Sequence, residues 1–338
     1  MVKLTLNDNA KRPKYLLLSD SIVEQIEKGE LVLDEKLPSV NQLSRHFSFS
    51  RETVFKALNH LSEKGIVRAV DKIGYFVDDV SIHNDYKVFF MLDKFTTFKE
   101  DLFNSLLLNL GNLAKVSMYF HHQNFEIFEA LIAQNLKNYT HFVITTYLDN
   151  PRKVKKVLNS IPPEKRIILD KCERNLSEGY GMVYQDFEND IFMALADNLN
   201  LVKKYGRLIL IDHENAPHGD FVRTGFKKFC KEYNFEGEVH KDLLPDQFNK
   251  GNLYITIDAY DRDLVEIIKL VRAENWKLGN QIGLISYNDT TTKEILDGGI
   301  TVISTDFKKM GAAAAEMILS GNLIQKQNTT NVILRNSL

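Results

Sequence analysis

The chain has 338 residues and a net charge of −2, with 44% apolar and 26% charged residues. At ~150 residues per domain this length predicts about two domains, and the composition is that of an ordinary globular protein. The longest apolar runs fall far short of the ~18 residues that a membrane span needs. No apolar leader follows Met1, and two cysteines cannot build a disulfide framework. These observations argue against membrane, secreted and disordered proteins, and we expect a cytoplasmic location.

The net charge is unevenly distributed along the chain. Residues 36–72 contain seven basic and three acidic residues, a local charge of +4, whereas the rest of the chain is mildly acidic. A basic stretch of this size is most often a solvated face, so charge alone does not indicate contact with nucleic acid. The order of the predicted elements in this stretch does favour such a contact.

Three helices and a hairpin are predicted in the first eighty residues. Apolar spacing predicts a helix between Pro13 and Gly29, and Ser39 with Gln42 forms a capping box that begins a second helix. Ser50 begins a third helix, and two β-type runs within residues 66–77 predict a hairpin with a short turn. This order is typical of a helix-turn-helix followed by a wing, in which the start of the third helix faces the major groove.

The side chains at the start of the third helix suit DNA. Arg51 can reach the O6 and N7 atoms of guanine, Thr53 can bond a base or a phosphate, and Lys56 can contact a phosphate. The wing tip, formed by Lys72 and Gly74, can enter the adjacent minor groove or touch its phosphates.

Residues 13–77 resemble the winged helix of GntR-type bacterial transcription regulators. The matching segments are Gly29-Glu30-Leu31, Leu37-Pro38-Ser39, Leu43, Ser50-Arg51-Glu52-Thr53-Val54, Ala57-Leu58, Leu61, Gly65-Ile66 and Gly74-Tyr75-Phe76-Val77. The resemblance implies DNA contacts at Ser39, Arg51, Thr53 and Gly74. Phe55 stands where many relatives have arginine, and Lys72 stands where the first wing-tip glycine is often found, so the operator sequence does not carry over. A winged helix used only for protein contacts is the alternative.

A different pattern begins after a polar linker at residues 78–85. Short apolar strands alternate with helical stretches, which is typical of parallel sheets covered by helices on both faces. Eight such strands could form one wide sheet or two smaller sheets. The strand-like runs are 88–92, 116–120, 142–144, 167–169, 208–211, 253–257, 282–285 and 301–303.

Several segments of this second region resemble the effector domain of LacI/GalR repressors, a sugar-binding domain similar to type I periplasmic binding proteins. These segments are 183–186, 283–289, 299–303, 310–317 and 333–337. The resemblance implies two Rossmann-like lobes with a cleft between them, so the fold class is α/β with an N-terminal winged helix-turn-helix. The predicted boundaries are 1–77 for the DNA-binding domain, 78–85 for the linker and 86–338 for the effector domain, with lobe 1 at 86–186 and 301–320 and lobe 2 at 187–300 and 329–338.

Polar and aromatic residues follow many of the predicted strands, where ligands of such folds bind. Carboxylates accept paired hydrogen bonds from sugar hydroxyls, and an aromatic ring can cover the apolar face of a sugar. The resemblance adds an arginine that opens a helix of lobe 2, here Arg223, two residues before Gly225 instead of the usual three. Each carboxylate alone is more often a helix cap than a ligand. The candidate effector-binding residues are Asp93, Phe95, Thr146, Tyr147, Asp170, Arg223, Asp258 and Asn288.

Other kinds of site have weaker support. His121-His122 lacks a third ligand at a compatible spacing, and Asp258 with Asp261 lacks a nucleophile, so we predict no metal, cofactor or catalytic residue. The absence of a glycine-rich cradle or a lysine and arginine cluster at the strand ends favours a monosaccharide over a phosphosugar.

The sequence thus predicts a sugar-responsive transcription regulator, a repressor of a carbohydrate-utilisation operon. A homodimer would bind palindromic operator DNA and change its affinity when an effector enters the cleft. By family analogy the effector is a pentose or deoxyhexose such as arabinose or fucose. The alternatives are a sugar- or nucleoside-metabolising enzyme that carries a DNA-binding module, and an exported solute-binding protein, against which the winged helix argues.

Overall fold

The computed structural model describes residues 13–78, 86–173, 175–212, 219–243, 248–257 and 261–338. Of these described residues, those up to Lys87 together with 110–115 form one compact unit, and the others form a second. The predicted linker therefore lies outside the described residues except for its first residue, Asp78.

The N-terminal unit has the predicted elements in the predicted order. Ser39 and Gln42 form the capping box reciprocally, and the Ser50 hydroxyl accepts the backbone N–H of Thr53. The apolar faces of the three helices bury a common core that includes Leu18, Leu43 and Leu58, each at most 1% exposed. The elements are α1 (Lys14–Glu27), α2 (Val40–Phe47), α3 (Arg51–Glu63), β1 (Val67–Val70) and β2 (Gly74–Val77).

The hairpin closes the N-terminal unit as a wing. Strands β1 and β2 are antiparallel, with Val67 opposite Val77 and Val70 opposite Gly74. The turn between them requires positive φ angles, +59° at Lys72 and +130° at Gly74. Glycine adopts such a conformation without the steric cost that other residues have. The local sequence of the turn therefore fixes the wing tip at the predicted position.

The second unit contains two six-stranded sheets instead of one wide sheet. In the first sheet the order is β13-β7-β6-β5-β3-β4, and strands β3, β5, β6, β7 and β13 run parallel. We call this sheet with its covering helices the first lobe. Its strands are β3 (Tyr86–Leu92), β4 (Ala114–Phe120), β5 (His141–Thr145), β6 (Arg166–Asp170), β7 (Gly181–Tyr184) and β13 (Gln325–Gln327).

The second sheet has the order β14-β12-β11-β10-β8-β9, and we call it with its helices the second lobe. Its strands pair in parallel except β14, which is antiparallel to β12. The strands are β8 (Arg207–Ile211), β9 (Glu236–His240), β10 (Asn252–Thr256), β11 (Gly283–Tyr287), β12 (Thr301–Thr305) and β14 (Thr330–Ile333).

The crossover helices explain why these strands read as continuous apolar runs. A parallel strand covered on both faces buries every side chain, as strands β6, β10 and β11 do along their whole length. In the part of the chain that the structure describes, no helix is long and apolar enough to span a bilayer. The helices are α4 (Thr97–Leu110), α5 (Phe125–Asn135), α6 (Pro151–Leu158), α7 (Phe187–Asp197), α8 (Leu199–Val202), α9 (Gly219–Tyr233), α10 (Arg262–Ala273), α11 (Thr291–Ile295) and α12 (Phe307–Ser320).

The chain crosses between the two lobes after β7, after β12 and after β13, and Asn328 joins these three crossings. Its backbone N–H donates to the carbonyl oxygen of Tyr184 at 2.7 Å. Its side-chain Nδ2 donates to the hydroxyl oxygen of Thr305 and to the carbonyl oxygen of Asp306, both at 2.9 Å. Asn328 is only 7% exposed, so a buried amide holds all three crossing segments together.

Two sequence predictions about these segments are wrong. The prediction assigned residues 301–320 to lobe 1, but strand β12 pairs with β11 and β14 in the second sheet, and only helix α12 packs on strand β7 of the first. The resemblance of residues 333–337 to the LacI/GalR effector domain implied a final strand there, but β14 ends at Ile333. Beyond it the backbone of Arg335 bonds the side-chain hydroxyl of Thr301 instead of a strand backbone, and its guanidinium binds both carboxylate oxygens of Asp289, each at 2.8 Å.

We predict that Gly225→Ala destabilises the second lobe. A Cβ atom at Gly225 in helix α9 would lie 2.0 Å from the backbone oxygen of Glu188 in helix α7, so the two helices would have to separate. Overpacking of this kind costs ~1–3 kcal/mol, more than the ~1 kcal/mol that alanine gains in helix propensity. Thermal unfolding followed by circular dichroism measures the loss.

Gly206→Ala is the matched control for this prediction. Nothing lies within 4 Å of a Cβ atom at Gly206, so we expect its melting temperature to stay close to that of the unmodified chain. Equal melting temperatures for the two variants would contradict the close packing of α7 against α9.

Candidate functional site

The recognition helix α3 presents a polar face away from the core. Arg51 and Lys56 are exposed on this helix, while Val54 and Leu58 on the opposite face are fully buried. Lys56 extends its ammonium group to 4.5 Å from the ring centroid of Tyr15 in helix α1. A cationic side chain can bind a phosphate or the O6 and N7 atoms of guanine, and the free N–H groups at the start of a helix can bind a phosphate.

The predicted hydroxyl contacts lie at the starts of α2 and α3. The Ser39 hydroxyl caps α2: it accepts the backbone N–H of Gln42 at 3.3 Å and donates to the side-chain oxygen of Gln42 at 2.8 Å. The Thr53 hydroxyl lies 2.8 Å from the hydroxyl of Ser50, which caps α3. A hydroxyl has one donor and two acceptor positions, so each keeps at least one position for a further group. Lys72 and Gly74 lie in the wing turn, with Lys72 exposed.

One basic residue of the N-terminal stretch is already neutralised. Arg68 on strand β1 binds the carboxylates of Asp34 at 2.5 Å and Asp78 at 2.9 Å. The side-chain hydrogen bond to Asp34 is the main cause of the raised pKa of this guanidinium. The positive charge that remains for a ligand therefore comes mainly from the recognition helix and the wing tip.

A buried ion pair lies at the carboxyl end of the first sheet. Asp93 follows strand β3 and receives a hydrogen bond from Lys99, which lies in the first turn of helix α4. Asp93 is 1% exposed and Lys99 is 3% exposed. The backbone N–H of Asp93 also donates to the hydroxyl of Thr145 at 3.1 Å, which ties the ends of β3 and β5 together.

Tyr147 and Asp170 surround this ion pair. The Lys99 ammonium lies 5.1 Å from the ring centroid of Tyr147, so part of that aromatic face is already covered. Gln185 donates a hydrogen bond to the Asp170 carboxylate, and burial is the main cause of the raised pKa of Asp170. Burial likewise raises the pKa of Tyr147 far above its usual value, which keeps the phenol neutral. The structure therefore brings together three residues predicted separately, and it adds Lys99, which the sequence analysis missed.

A second, less buried group lies beside the first. Thr146 donates to the carboxylate of Glu173 at 2.7 Å, and the ammonium of Lys171 lies 3.5 Å from the same carboxylate. The side chains of Glu173 and Lys171 are 12% and 17% exposed, so their charged ends reach solvent. Phe95, which is 47% exposed, provides an accessible aromatic ring after β3.

His121 follows strand β4 and has both ring nitrogens engaged. Its Nδ1 accepts the backbone N–H of Gln123 at 3.2 Å, so its Nε2 carries the proton and donates to the carbonyl of Thr145 at 3.2 Å. Burial lowers its pKa to about 4, which keeps the ring neutral. In the described parts of the chain, no group of three or more histidine, cysteine, aspartate or glutamate side chains could hold a metal ion.

Arg223 lies between two carboxylates at the start of helix α9. It donates to Asp212, which follows strand β8 and has a fully buried side chain, and to Asp220, which is exposed. The Arg223 side chain is 34% exposed. The predicted arginine is thus held by the residue that follows strand β8 and remains partly accessible to solvent.

A lysine that the sequence analysis missed organises the end of strand β11. The ammonium of Lys293 donates to the carbonyls of Tyr287 at 2.7 Å and Asn288 at 2.8 Å and lies 2.9 Å from the Asp261 carboxylate. Asn288 has a φ of +61°, which turns the chain away from the strand. The predicted ligand Asp258 lies outside the described residues.

Asp190 is a titratable group next to the crossing segments. It lies in helix α7 and accepts a hydrogen bond from the hydroxyl of Thr330 at 2.8 Å. Burial raises its pKa from 3.8 to about 6, and the Thr330 hydrogen bond opposes that shift. The carboxylate therefore changes its protonation at mildly acidic pH.

We predict that Lys99→Met strongly destabilises the first lobe. The substitution leaves the Asp93 carboxylate buried without its cation, and breaking a buried pair in this way costs ~3–5 kcal/mol. The double variant Asp93→Asn, Lys99→Met removes both charges and should recover much of that loss. Urea unfolding followed by circular dichroism measures the free energies.

Lys308→Met is the control because its side chain is 71% exposed and its ammonium lies 3.7 Å from the carboxylate of Asp101 in helix α4. Exposed pairs contribute ~0–1 kcal/mol, so a small change is expected. A similar loss for Lys99→Met and Lys308→Met would show that the Lys99 pair is not what stabilises this edge of the sheet.

We predict that Asp190→Asn changes how stability depends on pH. Between the usual pKa of 3.8 and the folded pKa of about 6, the folded chain binds a proton that the unfolded chain releases. The free energy of unfolding contributed by Asp190 therefore falls as pH rises through this window, by at most ~3 kcal/mol at ~1.4 kcal/mol per pKa unit. The asparagine variant lacks this fall, so it gains stability relative to the unmodified chain between pH 4 and 7.

Urea unfolding at a series of pH values measures this difference. Asp149→Asn, which removes a carboxylate from an exposed position, is the control for a general effect of net charge. A stability difference for Asp190→Asn that stays constant across the pH range would contradict the burial argument.

One family model matches the N-terminal unit, and another matches part of the second unit. Residues 14–77 match the family described as bacterial regulatory proteins, gntR family. Residues 203–337 match the periplasmic binding protein-like domain. The first match spans the three helices and the wing, and the second spans the second lobe and the last crossings.

Curated relatives match mainly the N-terminal unit. The arabinose metabolism transcriptional repressor of Geobacillus stearothermophilus is 37% identical over 65 residues, which are 19% of this chain and 18% of that protein. The regulator TreR of Bacillus subtilis is 31% identical over 106 residues, 31% of this chain and 40% of that protein. The chain therefore spans two fifths or less of the length of these relatives, and their names describe transcription regulators.

Solved structures resemble the second unit. A LacI family transcriptional regulator from Lactobacillus casei with bound glucose aligns with a TM-score of 0.59 at 15% identity, covering 75% of this chain and 99% of that one. The lac repressor dimer bound to operator and an anti-inducer aligns with a TM-score of 0.60 at 12% identity, covering 74% and 93%. These likenesses show a common fold with two lobes. The chain therefore combines a DNA-binding domain of the GntR family with a periplasmic-binding-protein-like domain folded as in LacI-family regulators.

Proposed function

We propose that this chain is a sugar-responsive, DNA-binding transcription regulator in the cytoplasm, and that it represses a carbohydrate-utilisation operon. One observation carries the proposal: a single chain contains both a winged helix and a two-lobed unit. The winged helix has exposed basic residues on its third helix, and the two-lobed unit has polar groups at the ends of its strands. The first part binds a polyanion, and the second has the fold in which small polar ligands bind at strand ends.

The DNA-binding part uses the first turns of α3 for base edges and the wing for the backbone. Arg51 contacts guanine, whereas Lys56 and Lys72 bind phosphates and set the salt dependence of binding. Thr53 donates to a phosphate oxygen while it accepts from the Ser50 hydroxyl that caps α3. Ser39 exchanges its hydrogen bond to the side-chain oxygen of Gln42 for one to a phosphate oxygen and still accepts the backbone N–H of Gln42. Gly74 lets the wing backbone approach the minor groove, because it carries no Cβ.

The effector is proposed to be an uncharged monosaccharide. Among the residues that the structure describes at the end of the first sheet, Lys99 pairs with Asp93 and Lys171 pairs with Glu173, so these two cations are already compensated and favour a ligand without a phosphate. Phe95 supplies an exposed ring for the apolar face of a sugar, and the partly exposed Glu173 supplies oxygen atoms for its hydroxyls, while the fully buried Thr146 holds the Glu173 carboxylate through a hydrogen bond. Arg223, Asn288 and Asp258 would complete the site from the second lobe. In the first lobe, Tyr147 and Asp170 would lie behind the residues that contact the sugar.

The names of two comparison proteins guide the choice of sugars. One curated relative is named for arabinose metabolism, and one solved LacI-family structure holds glucose. A pentose or deoxyhexose such as arabinose or fucose remains our proposal for this chain.

Closure of the two lobes is the proposed signal. The lobes pivot at the three crossings that Asn328 joins, and an effector that binds both lobes favours the closed arrangement. In a homodimer on a palindromic operator, a change in lobe orientation alters the spacing of the two winged helices and hence the affinity for DNA. The linker at 78–85 transmits that change.

We predict that Arg51→Ala weakens binding to duplex DNA by about 5- to 150-fold, the loss of ~1–3 kcal/mol expected for a guanine contact. Fluorescence anisotropy with a palindromic duplex enriched from a random library measures this change. Adding arabinose, fucose, glucose and other common monosaccharides one at a time should identify a sugar that changes the affinity.

Arg152→Ala removes an exposed arginine from helix α6 of the second unit and is the matched control, with unchanged affinity expected. Failure to enrich any duplex, or equal binding by Arg51→Ala, would overturn the DNA-binding proposal. If DNA binds but no monosaccharide alters its affinity, the sugar-responsive part of the proposal is overturned alone.

A further inference from the structure

The recognition helix carries an exposed aromatic residue among its polar ones. Phe55 on α3 is 46% exposed, although its neighbours Val54 and Ala57 are fully buried. It is absent from the apolar cluster that forms the described core of the N-terminal unit. Burial in this core therefore does not account for Phe55, which differs from other exposed apolar residues of the unit in lying on the same helix as the exposed cations Arg51 and Lys56.

Phe55 shares a face of the helix with Arg51. The two residues are four positions apart, which places their Cβ atoms ~5–6 Å from each other on one side of an α-helix. Arg51 is the first residue of α3, so both lie in its first two turns. In helix-turn-helix proteins this part of the second helix contacts base edges.

We propose that Phe55 contacts the C5-methyl group of a thymine in the major groove, within reach of the guanine that Arg51 contacts. This inference rests on the proposed function, since it requires α3 to lie in the major groove. Thymine is the one standard base with a methyl group in that groove, and a phenylalanine side chain is a known apolar partner for it. A phenyl ring neither donates to a phosphate nor replaces the hydrogen bonds of cytosine or adenine, so it discriminates by apolar contact.

The surroundings of Phe55 favour DNA over a protein partner. The exposed side chains Arg51 and Lys56 on the same helix are cationic, and residues 36–72 carry a net charge of +4. A polyanion complements this charge, whereas an apolar protein surface would leave these cations desolvated. Phe55 would then add base selectivity to a contact whose affinity comes from charge.

The experiment removes one thymine methyl group at a time from the DNA. A duplex is enriched from a random library with the full chain, and each thymine in its two half-sites is replaced in turn by deoxyuridine, which lacks the methyl group. Anisotropy titrations compare the unmodified chain with Phe55→Ala. At ~0.8 kcal/mol for one buried methyl, the unmodified chain should bind about fourfold more weakly for each methyl removed at the contacted position. Phe55→Ala should bind the thymine and deoxyuridine duplexes equally.

Phe221→Ala is the matched control, because Phe221 is 49% exposed on helix α9 of the second unit. It should keep the full sensitivity to deoxyuridine. The melting temperature of Phe55→Ala should equal that of the unmodified chain because the side chain is outside the core. The deoxyuridine series on the unmodified chain tests the inference without any variant.

The outcomes separate this inference from the proposed function. If no thymine position is sensitive in the unmodified chain, or if Phe55→Ala keeps the same sensitivity, the inference is overturned while Arg51→Ala still reports DNA binding. If no duplex is enriched, the proposed function and the inference both fail, and a protein partner becomes the occupant of this face.

Discussion

Parallel pairing brings the ends of strands β3, β5 and β6 to one edge of the first sheet, and the charges collected there must be paired within the protein. Asp93 and Asp170 are both nearly inaccessible to solvent, and an unpaired buried charge costs several kcal/mol. Lys99 from the adjacent helix compensates Asp93, and Gln185 donates to Asp170. The buried part of this edge is therefore held by internal hydrogen bonds, and Glu173, Lys171 and Phe95 are its more accessible side chains.

The elements were predictable because their signals are local. The capping box of Ser39 with Gln42 and the turn at Gly74 depend on residues next to each other in sequence, and both were predicted. The apolar strands were predicted because helices cover both faces of each sheet. Whether the strands form one sheet or two, and which sheet contains β12, depends on pairing between strands that are far apart in sequence. The spacing of residues carries no information about that pairing, so the family resemblance was needed to choose two lobes.

The candidate site was predictable as a set of strand ends but not as a network. Asp93 and Asp170 were found because polar residues that follow apolar strands share one edge of a sheet. Lys99 was missed because its charge suggests an exposed position, although its spacing to Leu102 and Leu106 places it on the buried face of α4. That spacing is the signal that could have found it. Lys293 gave no such signal, because its partners, two carbonyls and Asp261, depend on the path of the chain after β11.

Charge has opposite consequences in the two units. In the second unit the buried cations Lys99 and Lys293 are held by carboxylates and carbonyls, so their charge is unavailable to a phosphate. In the N-terminal unit Arg68 is paired, but Arg51 and Lys56 remain exposed on α3. A net charge of −2 therefore does not disfavour nucleic acid, because affinity for a polyanion depends on the exposed, uncompensated cations of one surface. The pairing of Lys99 and Lys293 thus removes two buried cations that a phosphate could otherwise contact, in line with the neutral effector that we propose.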